Sequence, residues 1–563
     1  MIDETVKSPQ RATKLRRLSG VADKLDSVPA KPIILPRKVS PIDALAFLLS
    51  TNMTKEAYVS MRLFSKSHGA DIWPPYDEIL AAKEECRPND IQYTETSAIV
   101  SIPERLKQND KRFLQLCKDD IAKELDSLPL GGSLDVEVES KVGFDGASGL
   151  SIYNQPFSTA NEDTSESSLL STCIVPLRYM VKGGKTLFLN PVPQASSFCQ
   201  PIRLEFKKET PETSREIERW IDEGVQELRE NPHVIDIDTR QVTFSHIVKK
   251  TMLDTKAKNS LTQTSSAQTC FLCGANPKDF NNLENFPDKF PTKKENLQYS
   301  SVCDFHAASR AFDAINSLSD KMTMEKWRVP KGAGKQRKGE TEEKAAERRK
   351  REAEMAAEVE QRKKNRQRQF KEKMALVVDV PRAGGSGNSN TGNVARRAFG
   401  DEAQFAEITG VNQNLIHRLH TQIIAFNVDA QIDPEKYRSY GQGTAALWVS
   451  LYPWYPMPAS VHQLCLHGHE SLELSSLPIS FYTEQSLESA HKYFKYDRTH
   501  HARRNSRINT ITDQFNRQND KADIIIAMML QQRRRRSAKL DLPPDVLALL
   551  KNEEEEEEEA DPN

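Results

Sequence analysis

GSLDVEVESKVGFDG (132–146), STCIVPLRYMV (171–181), KTLFLNPV (185–192) and PIRLEFKKE (201–209) are β-rich runs separated by Gly, Pro and Ser. That pattern predicts four strands. A charged helix follows in TPETSREIERWIDEGVQELRENP (210–232), and QVTFSHIVKKTMLD (241–254) reads as a further strand. Strands, a helix and then another strand make an α/β arrangement, and this stretch is the expected core.

Upstream of that core, residues 40–86 (SPIDALAFLLS to AAKEEC) place capping-type residues before apolar positions at helical spacing, which predicts a helical segment. Residues 1–38 mix Lys, Arg, Ser and Pro without apolar periodicity and read as a flexible basic arm suited to phosphate contact. Downstream, Lys331–Lys373 carries 16 Lys/Arg and 9 Glu with almost no core-forming residues. Two readings fit it: a solvated helix with i,i+4 ion pairs, or a helix lying along a nucleic-acid backbone. Beyond the Gly/Asn-rich PRAGGSGNSNTGN (381–393) the pattern is helical up to LYPWYPMP (451–458), and a last helix is predicted from Thr483 to about Asp523. Arg533–Arg536 and Glu553–Glu559 form opposite charge runs of the kind found in tails.

With 563 residues the chain can form several domain-sized units or one large core with insertions. Lys plus Arg number 79 against 80 acidic residues, so the net charge of -1 conceals local basic surfaces. A mean hydropathy of -0.63 suits an ordered centre with polar ends. There is no run of about 20 apolar residues to span a membrane, and MIDETVKSPQRATKLRR lacks the apolar run of a signal peptide. The expectation is an intracellular protein. Eight scattered cysteines form no disulfide framework and suit a reducing compartment.

The close pair Cys270 and Cys273 has CxxC spacing, which lets two thiolates hold one zinc, and His462 and His467 in VHQLCLHGHE (461–470) can complete a tetrahedron. Such a site would pin a segment near 270 to one near 465. Cys303 and His306 are rival ligands. Phosphodiester cleavage with divalent cations needs carboxylates that hold two ions about 3.5–4 Å apart. Asp145 follows one strand run and Asp254 ends another, so a sheet can aim both at one spot. Taken alone, Asp145-Gly146 is a common hairpin-turn pair and Asp254 a helix cap. Glu488 lies in TEQSLESAHKYFKYDRTHHARRNSR (483–507), with Lys492 and Lys495 near its own helical face and Arg498, Arg503, Arg504 and Arg507 beyond. A DNA-facing helix and an exposed helix with Glu488–Lys492 pairing both fit.

Seven segments in order carry a resemblance: GFDGASGLSIYNQ (143–155), VPLR (175–178), FCQPIRLEFKKET (198–210), TMLDTKAKNSLTQTSSAQTCFLCGANPKDFN (251–281), GSGNSNTGNVARRAF (385–399), YPWYPMPASVHQLCLHG (452–468) and LPISFYTEQSLESAHK (477–492). Over roughly residues 40–515 the chain resembles Transib-type DNA transposases and, more distantly, the catalytic subunit of the V(D)J recombinase. The resemblance implies an α/β RNase H-like core interrupted by a large, mostly helical, zinc-containing insertion. The implied organisation is a basic arm (1–38), a helical segment for DNA-end binding and dimerisation (39–130), the first part of the core (131–256), the insertion (257–476), the final catalytic helix (477–530) and a tail (531–563).

The implied catalytic triad is Asp145, Asp254 and Glu488, holding two Mg²⁺ or Mn²⁺ ions. Glu484 competes for the last place, but the family's glutamate stands four residues before a lysine, here Lys492. The implied zinc ligands are Cys270, Cys273, His462 and His467. Arg396, Arg397, Lys492, Lys495, Arg503, Arg504 and Trp454 are the implied DNA contacts, with Trp454 stacking on a flipped base unless it is a core residue. The expected reaction is a nick at the element end, attack of the freed 3′ hydroxyl on the opposite strand to leave a hairpin on flanking DNA, and strand transfer into target DNA. The implied partners are double-stranded DNA and a second copy of the chain, in the nucleus. Thr255 stands where the family usually has Gly, and His491 where it commonly has Asn. The competing readings are a domesticated, catalytically silent zinc-containing DNA-binding protein and a nuclease acting on RNA/DNA hybrids.

Overall fold

The computed structural model describes residues 37–149, 157–158, 164–284, 286–301, 304–329, 340–381, 388–532 and 541–551. The basic arm up to residue 36, Cys303, the start of the charged run (330–339), Arg533–Arg536 and Glu553–Glu559 lie outside the described residues. The chain divides into two compact units between Ala82 and Lys83.

The first unit contains α1 (Pro41–Ser50) and α2 (Lys55–Ser67), and α3 (Tyr76–Glu85) runs across the division. Ser40 and Thr54 accept hydrogen bonds from the amides of Asp43 and Ala57, satisfying first-turn donors that the helices leave free. Between α2 and α3 the Tyr58 hydroxyl donates to the Pro74 carbonyl at 2.7 Å, and Trp73 packs on Phe47 with ring centroids 5.3 Å apart.

The second unit is built on an eight-stranded mixed sheet: β1 (Gln92–Tyr93), β2 (Ser97–Ile99), β3 (Ser133–Ser148), β4 (Ser168–Val181), β5 (Thr186–Leu189), β6 (Gln200–Glu205), β7 (His233–Ile237) and β8 (Arg240–Leu253). Its order is β1-β2-β6-β4-β3-β8-β7, with β5 on β4, and every pair is antiparallel except β3 with β8. β1 and β2 fall inside the stretch expected to be helical; runs of two and three residues are too short to show a period of two. β4 is buried along most of its length, as its near-continuous apolar run requires of a central strand. Pro176 has no amide to donate, and the β3–β4 ladder shifts register beside it, between Glu139 and Ser140.

Helices α4 (Ile102–Leu116) and α5 (Lys118–Asp126) precede β3, and α6 (Pro211–Glu230) links β6 to β7. Phe113 of α4 stacks on Tyr179 of β4 at 4.1 Å and meets Phe244 of β8 edge-on at 6.2 Å, joining helix to sheet through rings that exclude water. After β8 the described chain is helical: α7 (Thr255–Leu261), α8 (Asp304–Lys321), α9 (Glu342–Met374), α10 (Gly392–Phe399), α11 (Glu402–Thr409), α12 (Gln413–Ala425) and α13 (Pro434–Leu451). A run from Ala459 to Glu473 follows, with a π turn at Gln463–His467, and then α14 (Gln485–His500), α15 (Arg507–Ala522) and α16 (Ile524–Gln532).

The charged helix α9 is solvated along most of its length, yet one face is docked. Phe370 is buried, and the Arg366 guanidinium grips Asp320 at 2.8 and 2.9 Å and Asp379 at 2.8 Å. The single helix expected from Thr483 to Asp523 is two, because Ser506 caps a new first turn by accepting from the Asn509 amide at 3.1 Å. Among the described residues no helix is long and apolar enough to cross a membrane.

Candidate active site and metal centre

β3 and β8 run parallel in a register that pairs Gly143 with Met252 and Phe144 with Leu253. One step on, Asp145 and Asp254 are neighbours at the same edge of the sheet. Adjacent strands lie about 4.8 Å apart, so the register brings the two carboxylates together from positions 109 residues apart in sequence. Gly143 permits this approach: a Cβ there would lie 1.8 Å from the Met252 carbonyl oxygen. Asp145-Gly146 is not a hairpin turn, since β3 continues to Ser148 paired with β4. Asp254 does cap α7, accepting from the Ala257 amide at 2.7 Å, and this fixes its carboxylate at the strand end.

Burial, with the charges of Asp254, Glu484 and Glu209, holds the Asp145 carboxyl well above the usual carboxylate range. Glu209 is also raised, by burial and Asp254, against the pull of Lys256 3.0 Å away. Glu209 lies within FCQPIRLEFKKET, but the sequence offered no reason to single it out: only folding brings this residue, four positions after β6, beside the ends of β3 and β8.

The segment carrying the two candidate glutamates is tied to β3 from beneath. Lys141, fully buried, donates to the Thr483 carbonyl at 2.7 Å; Glu139 receives the Tyr482 hydroxyl at 2.5 Å and Ser476 at 2.8 Å. His491 of α14 contacts the Ser171 hydroxyl at 3.0 Å and stands 3.6 Å from Asp145; burial pushes it down to about 4, so its ring is neutral near pH 7. Glu484 and Glu488 both reach His306, Glu488 at 3.0 Å from Nε2 and Glu484 against Nδ1. His306, weighed in sequence as a rival zinc ligand, belongs to this carboxylate group instead. Among the described residues, the compact three-residue donor cluster is His306, Glu484 and Glu488, without Asp145 or Asp254. Glu484 is the more buried of the two glutamates and is the one whose charge raises Asp145.

Cys270, Cys273, His462 and His467 are all buried, with donor atoms within 4.8 Å of one another. Cys273 Sγ is 3.5 Å from His462 Nε2. His467 Nδ1 lies 2.8 Å from Glu470 and 3.2 Å from Thr292, while its Nε2 is buried without a partner. A histidine oriented from behind by a carboxylate, with its other nitrogen aimed among thiols, is the arrangement of a metal ligand with its outer support. Against the effect of burial, the neighbouring Cys273, His462 and His467 hold the Cys270 thiol well below its ordinary value.

The basic residues divide. Lys492 and Lys495 are exposed on α14. Arg503 is exposed but engaged with Asp513 at 2.8 and 2.9 Å, Arg504 donates to the Thr499 carbonyl, and Arg397 to the Met374 carbonyl at 3.2 Å. Arg396 is half-buried. Arg498 and Arg507 do not extend a basic face: both pair with Glu166 at 2.9 Å, and each lies over an aromatic ring, Phe206 and Phe157. Trp454 is half-buried and edge-on to Tyr455; the fully buried indole is Trp448.

No family model matches the chain, and no curated protein matches it. Among solved structures, the Drosophila P element transposase strand transfer complex aligns over 92% of this chain and 98% of that one, at 9% identity and a TM-score of 0.28. A superposition that loose carries neither fold nor function.

Proposed function

We propose that the chain is a Transib-type DNA transposase whose cleavage centre lies where β3 and β8 end. The observation that carries this reading is the parallel register that sets Asp145 beside Asp254, with Glu484 and Glu488 supplied by α14 and the segment before it. Three antiparallel strands (β6, β4, β3) continued by the parallel β8 support an RNase H-like core, and residues 257–476 are its insertion.

Crowded oxygen donors with few compensating cations are the chemistry that Mg²⁺ or Mn²⁺ selects, and burial with like charge around Asp145 is relieved by a cation. Asp145, Asp254 and Glu488 would hold two such ions, with Glu484 and Glu209 as neighbouring carboxylates. When bound, they would activate the attacking oxygen and support the leaving one. The chain's own contribution is positional. Lys141 and His491 hold α14 and its lead-in against the sheet, and His306 orients both glutamates. Cys270, Cys273, His462 and His467 fit a tetrahedral structural zinc that ties the loop after α7 to the π turn. Lys492 and Lys495 are the exposed cations best placed to meet DNA beside the carboxylates. Acting as a homodimer on two element ends, the protein would work in the nucleus.

The test is incubation of the full chain with duplex carrying the inverted repeat that flanks its gene, in Mn²⁺, followed by a denaturing gel. Hairpins on the flanking DNA support the reading. Specific binding with no strand cleavage would leave a silent DNA-binding protein in its place.

A further inference from the structure

We infer that a trough leading from Asp254 to Trp327 holds an unpaired stretch of a DNA strand, an assignment that rests on the transposase reading and specifies where its substrate lies. Two cavities, of about 550 and 420 Å³, adjoin the candidate site and share Thr255, Ala267 and Arg310, so they form one continuous depression. Each is of a size that holds a small ligand group. Among the described residues lining the two cavities Asp254 is the only carboxylate, and it lines the first cavity alone. Arg215, Lys256, Arg310 and Lys321 line the rest, giving a cationic path that begins at the candidate catalytic aspartate.

The cations are not equally committed elsewhere. Arg215 and Lys256 bond Glu212 and Glu209, but Arg310 is exposed on α8 and makes no hydrogen bond or ion pair among the described residues. Asn259 lines the first cavity with a buried side-chain oxygen that has no partner. At the far end lie Trp327, a half-buried indole with Arg328 4.3 Å over its ring, and Tyr455. Cations along a groove and an aromatic platform are what recognise a single strand: phosphates meet the cations, and an unstacked base meets the indole. Intact duplex buries its base faces and so offers none to the indole. A strand melted at the cleavage point fits both, with its phosphate at Asp254 and its bases running toward Trp327. This makes Trp327, rather than Trp454, the stacking residue.

The experiment measures binding by the full chain without added Mg²⁺ or Mn²⁺, so that cleavage is withheld while zinc is retained, using fluorescence anisotropy with a labelled duplex that carries a short unpaired flank and with the same duplex fully paired. Trp327→Ala and Arg310→Ala are expected to weaken binding to the unpaired form about tenfold, in line with stacking energies per base, and to leave the paired duplex unchanged. Trp327→Phe should retain most of the preference, and Trp454→Ala should behave as wild type. Equal affinities for both DNAs in wild type, or no selective loss in either variant, would overturn the trough. Arg310→Ala decides the matter if Trp327→Ala does not fold. A wild type that cleaves while these variants bind like it removes only the trough; a wild type that binds selectively but never cleaves removes only the catalytic reading.

Discussion

Gly143 is where the account is most exposed to a single methyl group. In Gly143→Ala the new Cβ would stand 1.8 Å from the Met252 carbonyl oxygen, against the 3.4 Å at which ordinary contact begins, so the strands must part by about 1.6 Å two residues before the aspartate pair. Neither side can yield cheaply, because the obstacle is backbone. Overpacking of this kind costs about 1–3 kcal/mol, and a displacement of about 1 Å in a reacting constellation costs on the order of a hundredfold in rate. The variant should therefore unfold at a lower temperature by calorimetry and cleave DNA at least a hundredfold more slowly while still binding it. Gly184→Ala, whose Cβ would come no closer than 3.6 Å to its nearest neighbours, the Val181 side chain and carbonyl, is the control and should match wild type. Wild-type cleavage by Gly143→Ala would refute the claim that close β3–β8 approach sets the aspartates.

Other perturbations read separate parts of the structure. Glu470→Gln weakens the support behind His467 and should lower zinc affinity about 10–100-fold, while Cys270→Ser should abolish zinc measured by atomic emission and lower Tm. Because the folded state raises the Asp145 carboxyl above its unfolded value, the fold binds its proton more tightly than the unfolded chain does. Metal-free protein should thus lose stability as pH rises from the ordinary Asp range through that raised value, and Asp145→Asn should raise the Tm of metal-free protein near pH 7. Asp523→Ala removes the carboxylate that binds the almost wholly buried Arg112 guanidinium at 2.6 and 2.9 Å, leaving it Gln115 at 2.6 Å and Glu85 at 3.6 Å, and should cost about 3 kcal/mol in chemical denaturation.

The strands of the core were legible because their apolar runs and Gly/Pro punctuation are local signals; β3, β4, β5, β6 and β8 each contain or overlap a quoted run. What places Asp145 beside Asp254 is not local. It depends on a parallel register and on a glycine whose necessity appears only against the Met252 carbonyl. Glu209 and His306 were under-read for the same reason, each standing on a separate element that folding delivers to one edge of the sheet. Composition misled at Arg498 and Arg507, which look like part of a basic face but neutralise Glu166. The break after His500 depended on one serine cap that the flanking charge pattern obscured.

The most direct test of the central claim is side-by-side cleavage of end-bearing duplex in Mn²⁺ by wild type, Asp145→Ala, Asp254→Ala, Glu484→Gln and Glu488→Gln, with binding measured in parallel. Wild type should nick, both aspartate variants and Glu488→Gln should bind but lose nicking, and Glu484→Gln should be reduced but active. Nicking retained in both aspartate variants would contradict that claim.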